Sequence, residues 1–323
     1  MVFVIKKAEP IDGRILLALA GPQASGKTTS ALRLATGITK ASGGKICLID
    51  TENKRSLKYA NDFQFNHMPF EVPFSPLRYL EAIDVATSSG YGDGDVVIID
   101  SFSHEHEGPG GVLDMHETFL NDKCGTDYGK RERLKFTAWI KPKADRMRVI
   151  LMGLQRNRAH IILCFRAKEK VKMVKNLKGK MEVLNDGWQP IGGDEYFYEM
   201  DITMILPPGS QGKPDWSQNA CRINEFPAGK LTGLLHSTSQ ISEDTGAAIY
   251  DLSKAAVGTT QPERTDQQKA IKVLAEKMKA VTSYKDLTDF NRSEEVVVMM
   301  KTLNPQQVEW WDSQLKKVQE GLG

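Results

Sequence analysis

The sequence predicts an α/β protein: a mainly parallel sheet covered by helices, followed by a small C-terminal helical module. Three observations carry that reading. Short, apolar and mostly β-branched runs recur at 15–20, 45–50, 95–100, 161–165 and 201–206. The first three alternate with segments of helical period at 28–39 and 77–88, and alternating strands and helices build parallel sheets with helices on their faces. After a small, polar stretch at 253–265 the pattern turns helical, with Ile271, Val273, Leu274, Met278 and Val281 marking one stripe. The expected organisation is a core over 1–252, a linker over 253–265 and a helical module over 266–323.

Size and composition set the frame. With 323 residues the chain can bury a sizeable core. Its net charge of +2 provides no global field for a polyanion, so any basic surface must be local. Cys47, Cys124, Cys164 and Cys221 lie far apart without zinc spacing, and Cys47 and Cys164 sit inside apolar runs, where cysteine acts as a small core residue. A reduced, soluble, cytoplasmic protein is expected. The opening Met1-Val2-Phe3-Val4-Ile5 is too short for a signal-peptide core, and no run reaches membrane-spanning length.

Each element then contributes to a site. The run at 15–20 leads into Gly21-Pro22-Gln23-Ala24-Ser25-Gly26-Lys27-Thr28, which matches G-x-x-x-x-G-K-[ST], and the chain continues through Thr29 as a helix. Strand, glycine-rich loop and helix are the context that motif requires. Backbone N–H groups would wrap phosphates, the helix N-terminus favours the anion and Lys27 neutralises the terminal phosphates. Thr28 would turn its hydroxyl to Mg²⁺, so a nucleoside triphosphate is the expected ligand.

The run at 45–50 ends in Asp50-Thr51-Glu52, and Ser75-Pro76 suits the start of the next helix. Val96-Val97-Ile98-Ile99-Asp100 is an apolar strand ending in an acid, the form of a Walker B element, so Asp100 is the second expected Mg²⁺ residue. Many phosphate-loop ATPases place a glutamate directly after that aspartate; here the position is Ser101. The base that orients the attacking water must then come from elsewhere. Glu52, at a strand end on the same rim, is the candidate, with Glu105 in reserve. Asp50 would either support the metal or cap the next helix.

Two long connections follow. Residues 101–143 hold Gly108-Pro109-Gly110-Gly111 and many charges, and read as a functional loop. Their His104, Glu105, His106, Glu107, His116 and Cys124 fit no zinc module. Residues 147–157 read as part of a helix. Beyond Ile161-Ile162-Leu163-Cys164-Phe165-Arg166, six lysines fall at Lys168, Lys170, Lys172, Lys175, Lys178 and Lys180, alternating around Asn176-Leu177-Lys178-Gly179. That pattern suggests a basic β-hairpin rising from the sheet rim, able to contact nucleic-acid phosphates or simply to be solvated. Trp310-Trp311 in the tail is either an interaction anchor or helix packing.

Leu48-Ile49-Asp50-Thr51-Glu52 and Val97-Ile98-Ile99-Asp100-Ser101, behind a Gly-Lys-Thr loop, resemble the ATPase core of RecA-like recombinases. With Ser103-His104-Glu105-His106-Glu107-Gly108, the chain is similar to compact phage-encoded RecA-like ATPases of recombination or single-strand-annealing systems, over roughly residues 10–210. The resemblance implies a RecA-like P-loop NTPase core in which Glu52 is the catalytic glutamate and Lys27 contacts the phosphates. Arg166 stands where the family commonly has a γ-phosphate-sensing amide. It implies DNA, above all single-stranded, as a partner of Lys170, Lys172, Lys175, Lys178 and Lys180. It also implies a homo-oligomer in which Lys168 or Lys170 reaches a neighbour's nucleotide, and the host cytoplasm if the chain is phage-encoded. A recombination or replication protein is the expected partner of the C-terminal module. The competing reading is a nucleotide-dependent switch or assembly ATPase acting on a protein; a small-molecule kinase, which uses the same loop, fits Asp50-Thr51-Glu52 less well.

Overall fold

A computed structural model describes residues 13–175, 181–218, 220–223 and 239–258, and in the tail 277–278, 283–291, 293, 296, 311, 315–316 and 318–319. The chain divides into two units, Met1–Val257 and Gly258–Gly323.

In the first unit β1 (Leu16–Gly21) leads to α1 (Lys27–Ser42), β2 (Ile46–Asp50), a 3₁₀ turn (Arg55–Tyr59) and β3 (Asn66–Pro69). Next come α2 (Pro76–Ser88), β4 (Val96–Asp100) and four helices: α3 (His104–Glu107), α4 (Val112–Cys124), α5 (Tyr128–Leu134) and α6 (Ile140–Arg148). β5 (His160–Lys175), β6 (Met181–Pro190), α7 (Asp194–Tyr198), β7 (Ile202–Ile205), β8 (Arg222–Ile223) and α8 (Glu243–Gly258) complete it. Among the described residues the sheet runs β3-β2-β4-β5-β1-β7-β8, with β6 paired to β5. β3 through β7 in that spatial order are mutually parallel; β8 and β6 are antiparallel to their neighbours. The fold is therefore α/β with a mostly parallel sheet.

Strands covered on both faces read as unbroken apolar runs, and β1, β2 and β4 are buried at every position. Their side chains alternate between two cores. Leu16, Ala18, Ile49 and Ile99 pack with Tyr79 and Ile83 of α2, while Leu17, Leu19, Leu48 and Ile98 pack with Leu32 and Ile38 of α1 and Ile249 of α8. Cys47 and Cys164 belong to these cores and all four cysteines are free. α1 and α8 cross in near-backbone contact: a Cβ on Gly37 would lie 1.9 Å from the Glu243 carbonyl oxygen, and one on Gly246 would lie 2.2 Å from that of Leu34.

Several elements depart from the sequence-based expectation. The stretch 101–143, read as a long functional loop, instead holds α3 to α5 and the start of α6. In α4, Val112, His116, Leu120 and Cys124 form a buried stripe at helical spacing, which their polar neighbours obscure. β3 was not expected, and its sequence Asn-His-Met-Pro is partly exposed. α8 runs to Gly258, so residues 253–258 of the expected linker are the end of a helix; 259–265 lie outside the described residues. No described helix is long and apolar enough to cross a membrane.

In the second unit α9 (Tyr284–Asn291) carries the buried Leu287, and Met278, Val296 and Trp311 are also buried. Trp311 is fully enclosed, as a packing residue would be. Ile271, Val273, Leu274, Val281 and Trp310 lie outside the described residues.

Candidate functional site

The C-terminal ends of β1, β2 and β4, and β5 at Arg166 opposite Gly21, open on one rim, where parallel sheets bind ligands. There a cavity of about 400 Å³ is lined by residues 22–28, Glu52, Arg55, Tyr59, Asp100, Arg166, Ala167 and Ile191. Gly21 ends β1 just behind it, and Thr29, in the first turn of α1, does not line it.

The loop is shaped by its backbone. Gly26 has φ 92°, a conformation that side-chain-bearing residues rarely adopt, and its carbonyl accepts the N–H of Ser30 at 2.9 Å to begin α1. The first N–H groups of α1 thus face the cavity, with the positive end of the helix dipole. Lys27 donates from Nζ to the Pro22 carbonyl at 2.7 Å, folding back over the loop. Burial lowers its pKa, and the negative charges of Asp100 and Glu52 partly offset this. The buried Ser25 hydroxyl has no hydrogen-bond partner among the described residues.

Thr28 Oγ1 donates to Asp100 Oδ2 at 2.5 Å. β5 lies between β1 and β4, so this bond spans a strand and fixes the start of α1 to the end of β4. Burial pushes the Asp100 carboxyl up to about 6, against the Thr28 hydrogen bond; Glu52 raises it further and Lys27 lowers it. Among the described residues no group of three or more His, Cys, Asp or Glu gathers as a metal site. A hydroxyl and one carboxylate do suit Mg²⁺, which takes few protein ligands and completes its shell with water and phosphate oxygens.

Glu52 is held by two cations. Oε1 accepts from Arg166 Nη2 at 2.9 Å and Oε2 from Arg55 Nη1 at 3.1 Å. Burial opposes ionisation, but the Arg166 hydrogen bond and the charges of Arg166 and Arg55 outweigh it and hold the carboxyl below its usual range. Asp50 is the residue that shapes this corner: its carboxylate accepts the Glu52 N–H at 2.7 Å, the Ser56 N–H at 2.9 Å and the Ser56 hydroxyl. It caps the Arg55–Tyr59 turn and does not line the cavity.

The turn after Asp100 is tied into the same rim. The Asp100–Ser101 peptide is cis. Ser101 N–H donates to Thr51 Oγ1 at 2.8 Å, and that hydroxyl also lies 2.8 Å from His104 Nδ1. Ser103 Oγ accepts the Arg166 N–H at 2.8 Å and donates to the Ile191 carbonyl at 2.6 Å, while Ile191 N–H donates to the Arg166 carbonyl at 2.7 Å. This ring of three bonds joins the turn to both strands at the base of the hairpin. Glu105, the reserve base, is fully buried in a bidentate pair with Arg146 and lies outside the cavity.

Past Arg166, β5 leaves the sheet and pairs with β6, from Ala167 opposite Pro190 to Lys175 opposite Met181, with a bulge between Lys170 and Val171. Lys168 and Lys170 are exposed, and Lys172 and Lys175 lie farther along the same strand. Lys178 and Lys180 fall outside the described residues. Lys168 and Lys170 do not line the cavity. The ribbon also exposes Val171, Met173, Met181 and Val183, the apolar positions of the alternation that predicts the hairpin. Arg55, Tyr59 and Ile191 were missed; only Arg55, three residues after Glu52, had a local signal.

No protein-family model matches the sequence, and no curated protein matches it.

Proposed function

We propose that the chain is a RecA-like P-loop ATPase that hydrolyses Mg²⁺-ATP and binds single-stranded DNA in recombination, replication or annealing. One observation carries the nucleotide part: four neighbouring parallel strands bring the Gly21–Thr28 loop, Asp100, Glu52 and Arg166 around a single cavity. The triphosphate lies along residues 22–28, with Lys27 exchanging the Pro22 carbonyl for phosphate oxygens. Thr28 and Asp100 hold Mg²⁺, which neutralises phosphate charge. Glu52 orients the attacking water, and Arg166 divides its guanidinium between Glu52 and the terminal phosphate.

The DNA part rests on the hairpin. Lysines recur along the first strand of a two-stranded ribbon, and that strand carries Arg166 at its root, so a change at the phosphate reaches the ribbon through one strand. Lys170, Lys172, Lys175, Lys178 and Lys180 contact the DNA backbone, and such binding weakens steeply with salt. Subunits associate, and Lys168 or Lys170 reaches a neighbouring nucleotide.

ATP turnover measured with and without single-stranded oligonucleotide, at low and moderate salt, tests both parts. Phosphate release dependent on Mg²⁺ and stimulated by DNA at low salt is expected. Loss of all turnover on Lys27→Ala is expected as well. No ATP binding would end the ATPase reading, and turnover without DNA binding at either salt would end the DNA reading alone.

A further inference from the structure

A second surface, remote in sequence from the phosphate loop, carries an unassigned apolar face. From Thr137 to Leu154 the backbone is helical without a break: a 3₁₀ turn (Thr137–Trp139), α6, and a π turn (Val149–Leu154). One side of this rod is core. Ala138, Pro142, Val149, Ile150 and Leu154 are buried, and Gly153 packs against Leu80 and Ile83 of α2.

The other side is exposed and apolar. Phe136 is 85% exposed, Ile140 66%, Met147 40% and Leu151 47%. Ile140, Met147 and Leu151, spaced at seven and four residues, fall within about 40° of one another at 100° per residue, a single stripe about 16 Å long, and Phe136 lies in the turn just before it. Scattered surface hydrophobics need no explanation, but a continuous row of large ones marks an interaction site.

The surroundings of the stripe are basic. Residues 128–156 carry nine Lys and Arg against two acids, and seven remain when Arg146, buried against Glu105, and Arg131, paired with Glu117 of α4, are set aside. Lys143 stands at the edge of the stripe by the same helical count. Lys141 and Arg148 flank it and share one carboxylate, that of the buried Asp145, so the pair leaves net positive charge on the rim.

We propose that this face docks an acidic amphipathic helix of a partner protein. A straight apolar ridge one side chain wide is what helix-on-helix packing uses, and cations flanking an apolar seam select a partner with acids beside its own seam. The charge excess argues against a second copy presenting the same basic face, since like charges would meet. The inference does not depend on the ATPase reading.

The test uses the full chain and a labelled, designed helical peptide of about 18 residues with Leu along one seam and Glu beside it, compared with its Lys-for-Glu counterpart by fluorescence anisotropy. The acidic peptide is expected to bind at least about tenfold more tightly than the basic one. Ile140→Glu with Met147→Glu, both surface changes, should remove that binding with the unfolding temperature unchanged. Lys143→Glu alone should weaken it, which keeps the test open if the double variant is unstable. Equal binding of the two peptides, or none, overturns the proposal. So does evidence that the same substitutions instead abolish binding to an oligo-dT strand or to phosphatidylserine vesicles, or abolish self-association in sedimentation.

Discussion

Two glutamate–arginine pairs flank the turn after β4, and they have the same chemistry in opposite surroundings. Glu52 and Arg166 meet at 2.9 Å on the wall of the cavity, with side chains 20% and 43% exposed. Glu105 and Arg146 meet at 3.0 Å, with side chains 0% and 5% exposed. The buried glutamate accepts three hydrogen bonds: Arg146 donates from both Nε and Nη2, and the Tyr196 hydroxyl adds a bond at 3.0 Å. Burial raises the Glu105 carboxyl, against its bonds to Arg146, while on the arginine the carboxylate outweighs burial and holds the guanidinium charged. Glu52 instead bonds to one half-exposed and one exposed arginine, both able to move toward an incoming anion. A group that positions water must reach solvent and substrate. Exposure, more than residue type, therefore separates the pair suited to chemistry from the pair suited to holding α3 against α6 and α7.

Substituting one member of each pair breaks the comparison most directly. Glu52→Gln keeps an oxygen for Arg166 but removes the base, so single-turnover hydrolysis should fall by about 10²- to 10⁴-fold with nucleotide affinity nearly unchanged. Wild-type turnover in this variant would remove Glu52 from the chemistry. Arg146→Ala leaves the Glu105 carboxylate buried without its cation, which should cost about 3–5 kcal/mol in denaturant unfolding while turnover per folded molecule is retained. Glu105→Gln with Arg146→Met keeps the acceptor for Tyr196 and removes both charges, so it should recover more than half of that loss. If the double variant is as unstable as Arg146→Ala, the damage is lost packing and the pair's charge is not its cause.

The contrast was only partly legible in the sequence, for reasons that differ by residue. The loop, Asp100 and the main strands are local patterns: glycines at fixed spacing, and apolar runs that must be buried on both faces. α4 was missed because its apolar stripe is interrupted by polar residues and contains His116. β3 was missed because four half-exposed residues at a sheet edge carry little β signal. Glu52 and Glu105 were both readable as bases, and nothing local ranks them by burial. Arg146 lies 41 residues from Glu105 and Tyr196 lies 91 away, so enclosure there is a tertiary fact. Asp50 remained ambiguous until its carboxylate was found capping the turn that carries Arg55.

Arg55 is the smallest lever on the comparison and isolates electrostatics from position. Its side chain is 52% exposed and it pairs with Glu52 three residues away, so its removal should change stability by less than about 1 kcal/mol. Its charge nevertheless helps hold the Glu52 carboxyl below the usual range, after the contribution of Arg166. A neighbouring guanidinium favours the ionised carboxylate, and taking it away raises the pKa. The base works only when ionised, so in Arg55→Ala the acidic limb of the turnover profile should move to higher pH, with the rate at neutral pH almost unaffected. Arg55→Lys restores the charge without the planar fork and should return the limb most of the way. A limb that stays in place in Arg55→Ala would mean that Arg166 alone sets the ionisation of Glu52. A limb that moves in Arg55→Ala and is not restored by Lys would mean that the guanidinium's geometry holds the carboxylate, with charge secondary.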